Sequence, residues 1–178
     1  QLALLDHLGI DTFHAGGMCI GGSFVLGLVA AAPERVTTGV LFQTIGRSTG
    51  PEDNGQAFYD MYDGWARALA PDRPDVTEAD WAGLKRAMYD RDYLFTVDRA
   101  FVERCPVPLL VFAGNDLYHP RDVSLDVARR APRAELIEEW KPPQAQPAAR
   151  ATLERFLAAH TPGSLAPGRR PGNEREST

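Results

Sequence analysis

The chain has 178 residues, 44% of them hydrophobic, and its 19 basic and 24 acidic side chains leave a formal net charge of −5. That size fits one domain around one core, and the acidic balance, with no basic cluster ahead of the tail, excludes a nucleic-acid surface. Two cysteines, Cys19 and Cys105, are too few for a disulfide framework, and no Cys/His spacing suggests a metal site, so neither metal nor cofactor is expected.

Residues 2–8 read as the end of an amphipathic helix closed by Gly9, and residues 11–15 as a short strand. A helix over 23–32 stops at Pro33, and an apolar strand follows over 36–44. An insert of about 48–104 comes next. Helix signals cover 56–69, and Thr77-Glu78-Ala79-Asp80 is a capping-box-like start to a helix reaching Tyr89. Residues 107–113 and 134–140 read as strands flanking a helix over 123–130, and 146–160 as the last helix. This alternation predicts an α/β fold, a parallel sheet with helices on both faces. The tail over 161–178 is rich in Pro, Gly and polar residues and reads as disordered.

The segment Ala15-Gly16-Gly17-Met18-Cys19-Ile20-Gly21-Gly22 lies between strand and helix. Gly17-x-Cys19-x-Gly21 has the form of a nucleophile elbow with Cys in place of Ser. Glycines at 17 and 21 are expected because a Cβ there would collide with neighbouring backbone. The turn pushes Cys19 out over the sheet with a helix N-terminus behind it, whose dipole favours an anion. Met18 and Ile20 complete the elbow, and the Ile20 N–H is the expected oxyanion donor. G-x-G-x-x-G fits no register here, so a dinucleotide loop is not expected. Ser23 reads as a first-turn helix residue and not as the nucleophile.

Several stretches resemble an α/β-hydrolase: Leu5-x-x-Leu8-Gly9-Ile10, the elbow, Ala32-Pro33-Glu34-Arg35-Val36, and Val111-Phe112-Ala113-Gly114-Asn115-Asp116. Leu153-x-x-Phe156-Leu157-Ala158-Ala159-His160 is similar to that family's final helix. The resemblance runs over 1–160, and the Cys elbow is similar to the dienelactone-hydrolase branch. It implies that strands preceding the elbow strand are missing, so that this strand forms an open sheet edge. It also implies that the insert is a helical lid and that Asp116 is the catalytic acid. The family's histidine is expected in the loop Trp140-Lys141-Pro142-Pro143-Gln144, which has none. Of the four histidines, His119 stands three residues beyond Asp116 and is the candidate base; His7, His14 and His160 are read as structural or surface residues.

Nine of the sixteen aromatic residues fall in the insert. Tyr59, Tyr62, Trp65 and Trp81 are expected to line a pocket for an apolar acyl or aryl group. The sequence therefore points to a hydrolase or acyl-transfer enzyme acting on an ester, thioester or lactone carbonyl through Cys19. The alternative is a non-catalytic relative that binds a small apolar ligand or a partner. A small-molecule substrate, no nucleic acid and no membrane are the expected partners, a homodimer stays open, and the cysteine usage suggests a reduced, cytoplasmic setting.

Overall fold

Four apolar runs pair side by side into one parallel sheet. The computed structural model describes residues 1–48, 50, 53–91 and 93–161. Strands β1 (Phe13–Met18), β2 (Val36–Phe42), β3 (Leu109–Phe112) and β4 (Ala134–Ile137) lie in that spatial order. Helix α1 (Leu2–His7) precedes β1, α2 (Ile20–Ala31) joins β1 to β2, and α6 (Arg121–Arg130) joins β3 to β4. The insert between β2 and β3 holds α3 (Gly55–Leu69), α4 (Glu78–Tyr89) and α5 (Arg99–Glu103), and α7 (Gln146–His160) closes the described chain. The expected tail disorder falls on 162–178, outside the described residues.

Side chains alternate across a strand, so the continuous apolar runs of β2 and β3 bury both faces. Leu41, Leu109 and Val111 pack with Val25, Leu26 and Val29 of α2 and Val123 and Val127 of α6. On the opposite face, Val40, Leu110 and Phe112 pack with Ala149 and Phe156 of α7. Burial of each such side chain contributes roughly 1.5–3 kcal/mol, so both helical layers are held by the same two strands. β1 lies at the sheet edge as expected, with β2 as its partner among the described residues. His14 on β1 bonds Thr38 Oγ1 through Nδ1 (2.8 Å) and Thr161 Oγ1 through Nε2 (2.9 Å), tying α7 to the edge.

The boundaries differ from expectation where glycine is concerned. β1 continues through Gly16 and Gly17, which pair with Val40 and Leu41, so a glycine run that reads as a turn is strand. α2 begins at Ile20 and not at Ser23, leaving Cys19 alone between strand and helix. β4 stops at Ile137, well short of Trp140. α5 has no strong apolar period; Asp98 caps it by accepting the Phe101 N–H at 2.7 Å. The capping box at α4 forms as read: Thr77 Oγ1 accepts from the Asp80 N–H and Asp80 accepts from the Thr77 N–H. Among the described residues no helix is long and apolar enough to cross a membrane.

Candidate active site

Cys19 occupies the one-residue junction between β1 and α2 with φ 59° and ψ −126°. Residues with a Cβ avoid that region, and holding one there costs of order 1–3 kcal/mol. The surrounding bonds fix it. The Cys19 N–H donates to Phe42 O at 3.0 Å, and Cys19 O accepts from the N–H groups of Gly22 (3.1 Å) and Ile45 (3.3 Å) and from Thr44 Oγ1 (3.3 Å). A Cβ on Gly17 would stand 2.2 Å from the Gly21 carbonyl, so glycine is required there. The reading of Gly21 needs correction: a Cβ on it meets nothing within 4 Å. The second obligatory glycine is Gly22, where a Cβ would sit 1.9 Å from Thr44 Oγ1. Ile20 opens α2, so its N–H has no intrahelical acceptor. Met18 is 54% exposed beside the elbow. Ser23 is fully buried on the inner side of α2, with its hydroxyl toward Ile45 O at 3.5 Å.

Cys19 and Ile20 pack against the aromatic cluster of the insert, built from Ile45, Phe58, Tyr62, Tyr89 and Phe95. Tyr59, Trp81 and Tyr118 join its margin. Burial first, then the neighbouring Cys19, pushes the Tyr89 phenol up. Tyr62 donates its hydroxyl to Trp81 O (2.8 Å), and Tyr59 to Asp90 Oδ1 (2.8 Å). Arg47 fastens the cluster to the sheet by donating to Tyr59 Oη (3.1 Å) and Tyr89 O (2.9 Å). Trp65 is 49% exposed, its ring edge-on to Tyr62 and Trp81.

The loop after β3 brings Asp116 and His119 together. Asp116 Oδ1 accepts from His119 Nδ1 at 2.7 Å and from the N–H groups of His119 (2.9 Å) and Tyr118 (3.1 Å). Burial works against the carboxylate, but these bonds outweigh it and hold Asp116 below the usual Asp range. The opposite imidazole nitrogen, Nε2, is buried and has no hydrogen-bond partner among the described residues. The loop turns back so tightly that a Cβ on Gly114 would lie 2.0 Å from His119 O. Ser124 Oγ accepts the Gly114 N–H at 3.1 Å. Buried Asn54 donates to Gly46 O (2.9 Å) and Leu117 O (3.0 Å), pinning the loop to the insert. Beside it opens a cavity of about 520 Å³ lined by Ser48, Asn54, Asn115, Asp116, Leu117 and Pro120, among others.

Sequence reading missed Asn54, Thr44 and Lys141, whose roles depend on contacts made across the fold. Lys141 Nζ donates to Asn115 Oδ1 and stands 3.9 Å from Asp116 Oδ2. Of the other histidines, His7 is exposed on α1 and His160 Nδ1 bonds Phe156 O at 2.8 Å. Among the described residues no group of three or more His, Cys, Asp or Glu could hold a metal. The thiol of Cys19 makes no hydrogen bond among them either.

No protein-family model and no curated protein matches the chain. Solved structures do. Est816, an N-acyl homoserine lactone degrading enzyme, is 21% identical over 88% of this chain and 71% of its own, with a TM-score of 0.59. A meta-cleavage product hydrolase from Pseudomonas fluorescens IP01 is 18% identical over 89% of this chain and 69% of its own, with a TM-score of 0.59. The enol-lactonase of Burkholderia xenovorans LB400 is 20% identical over 88% of this chain and 70% of its own, with a TM-score of 0.55. The chain has the α/β-hydrolase fold. In this α/β-hydrolase sheet, the elbow follows β1, the Asp116–His119 loop follows β3, and the loop after β4 carries Lys141 instead of a histidine.

Proposed function

We propose that the protein is a hydrolase that opens an ester or lactone carbonyl through Cys19. The observation that carries this reading is the backbone of Cys19. Gln43, Tyr93 and Phe95 also have positive φ, but Cys19 carries a nucleophilic side chain at the junction of strand and helix, held there by four backbone-directed bonds, and such strain concentrates at reacting groups. Cys19 sulfur attacks the carbonyl carbon, and the oxyanion that forms receives the Ile20 N–H. His119 Nε2 carries the thiol proton to the departing alkoxide, with Asp116 fixing Nδ1 and stabilising the imidazolium. Water then attacks the thioester, giving its proton to the same nitrogen. The carboxylic acid leaves and the thiol is restored. The aromatic cluster above the elbow favours an apolar acyl or aryl group, and Tyr59, Tyr62 and Trp81 belong to that wall.

The test is hydrolysis of short and aryl esters and of six-membered lactones by the wild-type chain and by Cys19→Ala. Turnover by the wild type and its loss in the variant supports the assignment; equal rates overturn it. The loop between β4 and α7 holds no histidine, which favours a second reading, a ligand-binding relative without turnover. Stoichiometric binding of an aryl ester with no product release would select that reading.

A further inference from the structure

The carboxylate of Asp116 is divided between two groups. Oδ1 takes His119 Nδ1 and two backbone N–H groups, whereas Oδ2 faces Lys141 Nζ at 3.9 Å, the cation within 4 Å of it among the described residues. Lys141 is not a loose surface side chain. Trp140 Nε1 donates to Ala113 O (2.8 Å), Gln146 Nε2 donates to Lys141 O (3.0 Å), and the Ala145 N–H donates to Pro142 O (2.9 Å). Pro142 and Pro143 fix their own φ angles in the same loop. The ammonium is held at the end of β3 by Asn115 and lies 5.7 Å from the Trp140 ring. Two-thirds of the Lys141 side chain is covered, so its charge acts across less water than a surface lysine's.

We propose that Lys141 is a positioning residue for the Asp116–His119 pair. Its ammonium holds the carboxylate oxygen that His119 leaves free and competes with the imidazole for the same negative charge. An imidazole beside a lone carboxylate is drawn toward the cation and cannot readily take a proton from a thiol. A carboxylate shared with a permanent cation still orients the ring but binds the imidazolium less tightly. The part Lys141 plays in catalysis rests on the hydrolase reading above; its hold on the pair does not.

The charged and titratable groups at this end of the sheet come from several elements. Arg121 at the start of α6 is paired with Glu138 and Glu139 after β4. Asp122 accepts from Ser48 Oγ (3.0 Å) and the Gly50 N–H (2.9 Å). Cys19, Tyr89 and Tyr118 share the aromatic cluster on the insert side. Among the described residues none of these is paired with Asp116 Oδ2, so substitution at Lys141 removes that oxygen's one cation together with the bond to Asn115, and Lys141→Arg, which restores the charge, separates the two effects.

The experiment is an NMR titration of the His119 ring in the wild type, Lys141→Met, Lys141→Gln and Lys141→Arg, with His119→Gln assigning the resonance. Both neutral variants move the His119 midpoint upward by about half a pH unit or more, because a like charge has been removed. Lys141→Arg keeps it near the wild-type position. The His14 resonance, remote in the sheet edge, stays put in all variants and reports an intact fold. An unmoved midpoint in both neutral variants, or an arginine variant that shifts as far as they do, overturns the proposal. Ester turnover is measured in parallel. A shifted midpoint in a chain without turnover leaves Lys141 assigned and removes the hydrolase reading; turnover with an unmoved midpoint does the reverse.

Discussion

Asp116 and His119 meet through a 2.7 Å contact between Oδ1 and Nδ1, and the opposite imidazole nitrogen is buried with no hydrogen-bond partner among the described residues. A buried nitrogen without a partner normally costs stability, of order 1–3 kcal/mol, unless something else uses it. In the proposed mechanism that use is proton transfer to and from Cys19. His119→Gln therefore lowers ester turnover by roughly 10²–10⁴-fold, the range of a general base. Asp116→Asn acts in the same direction, because the amide no longer fixes the ring's tautomer. His7→Ala leaves the rate unchanged. Initial rates on an aryl ester check all three.

The strained backbone at Cys19 gives a stability prediction opposed to activity. Cys19→Gly removes the Cβ from a φ of 59° and raises unfolding stability by about 1 kcal/mol, while abolishing turnover. Cys19→Ala keeps the strain and gains nothing. Urea denaturation of the two variants beside the wild type measures the difference.

Three glycines, Gly17 and Gly21 of the elbow and Gly114 of the loop after β3, are not equivalent. Gly17→Ala would place a Cβ 2.2 Å from backbone and costs roughly 3 kcal/mol or more, as forced overpacking does. Gly114→Ala is equally costly, since the clash is with His119 O at 2.0 Å. Gly21→Ala meets nothing within 4 Å and lies inside α2, where alanine is favoured over glycine by about 0.5–1 kcal/mol. Thermal melts of these variants should separate into two losses and one gain.

Much of this architecture was legible in the sequence, and the gaps have physical causes. Apolar runs such as Val107–Ala113 announce buried parallel strands because both their faces must be covered, and the Thr77/Asp80 cap is a local device that needs no tertiary partner. The Asp116–His119 pair was readable because His119 stands only three positions beyond Asp116. Gly21 was misread because a motif lists glycines without saying which backbone approaches which; Thr44, far along the chain, makes Gly22 the obligatory one. Lys141 and Asn54 act on the β3 loop from other elements, a relation that spacing alone does not encode.

Stability depends on pH through His14. Burial first, and the nearby His160 second, hold its pKa below the ordinary 6.5. The folded chain thus binds fewer protons on this side chain than the unfolded chain does. Its contribution is fully present above about 6.5 and is lost as pH falls from there through the lowered folded value. His14→Gln flattens that part of the profile. Urea midpoints measured between pH 7.5 and 5 by steps of about half a unit resolve the slope.

The two thiols separate by reactivity. Cys105 is 2% exposed, burial pushes its pKa up, and its Sγ lies 3.6 Å from Val107 O. Cys19 is half-buried at the rim of the aromatic cluster. Iodoacetamide at neutral pH modifies Cys19 first, and Cys105 only after unfolding, as peptide mapping will show.

The most direct measurement is rapid-quench mass spectrometry of the chain mixed with an excess of p-nitrophenyl acetate. The account predicts one acetyl group, mapped to Cys19, formed in a burst with release of p-nitrophenol and absent in Cys19→Ala. In His119→Gln the adduct forms slowly and persists, because the same nitrogen serves thioester hydrolysis. Turnover without any adduct on Cys19, or an adduct on another residue that survives in Cys19→Ala, would contradict it.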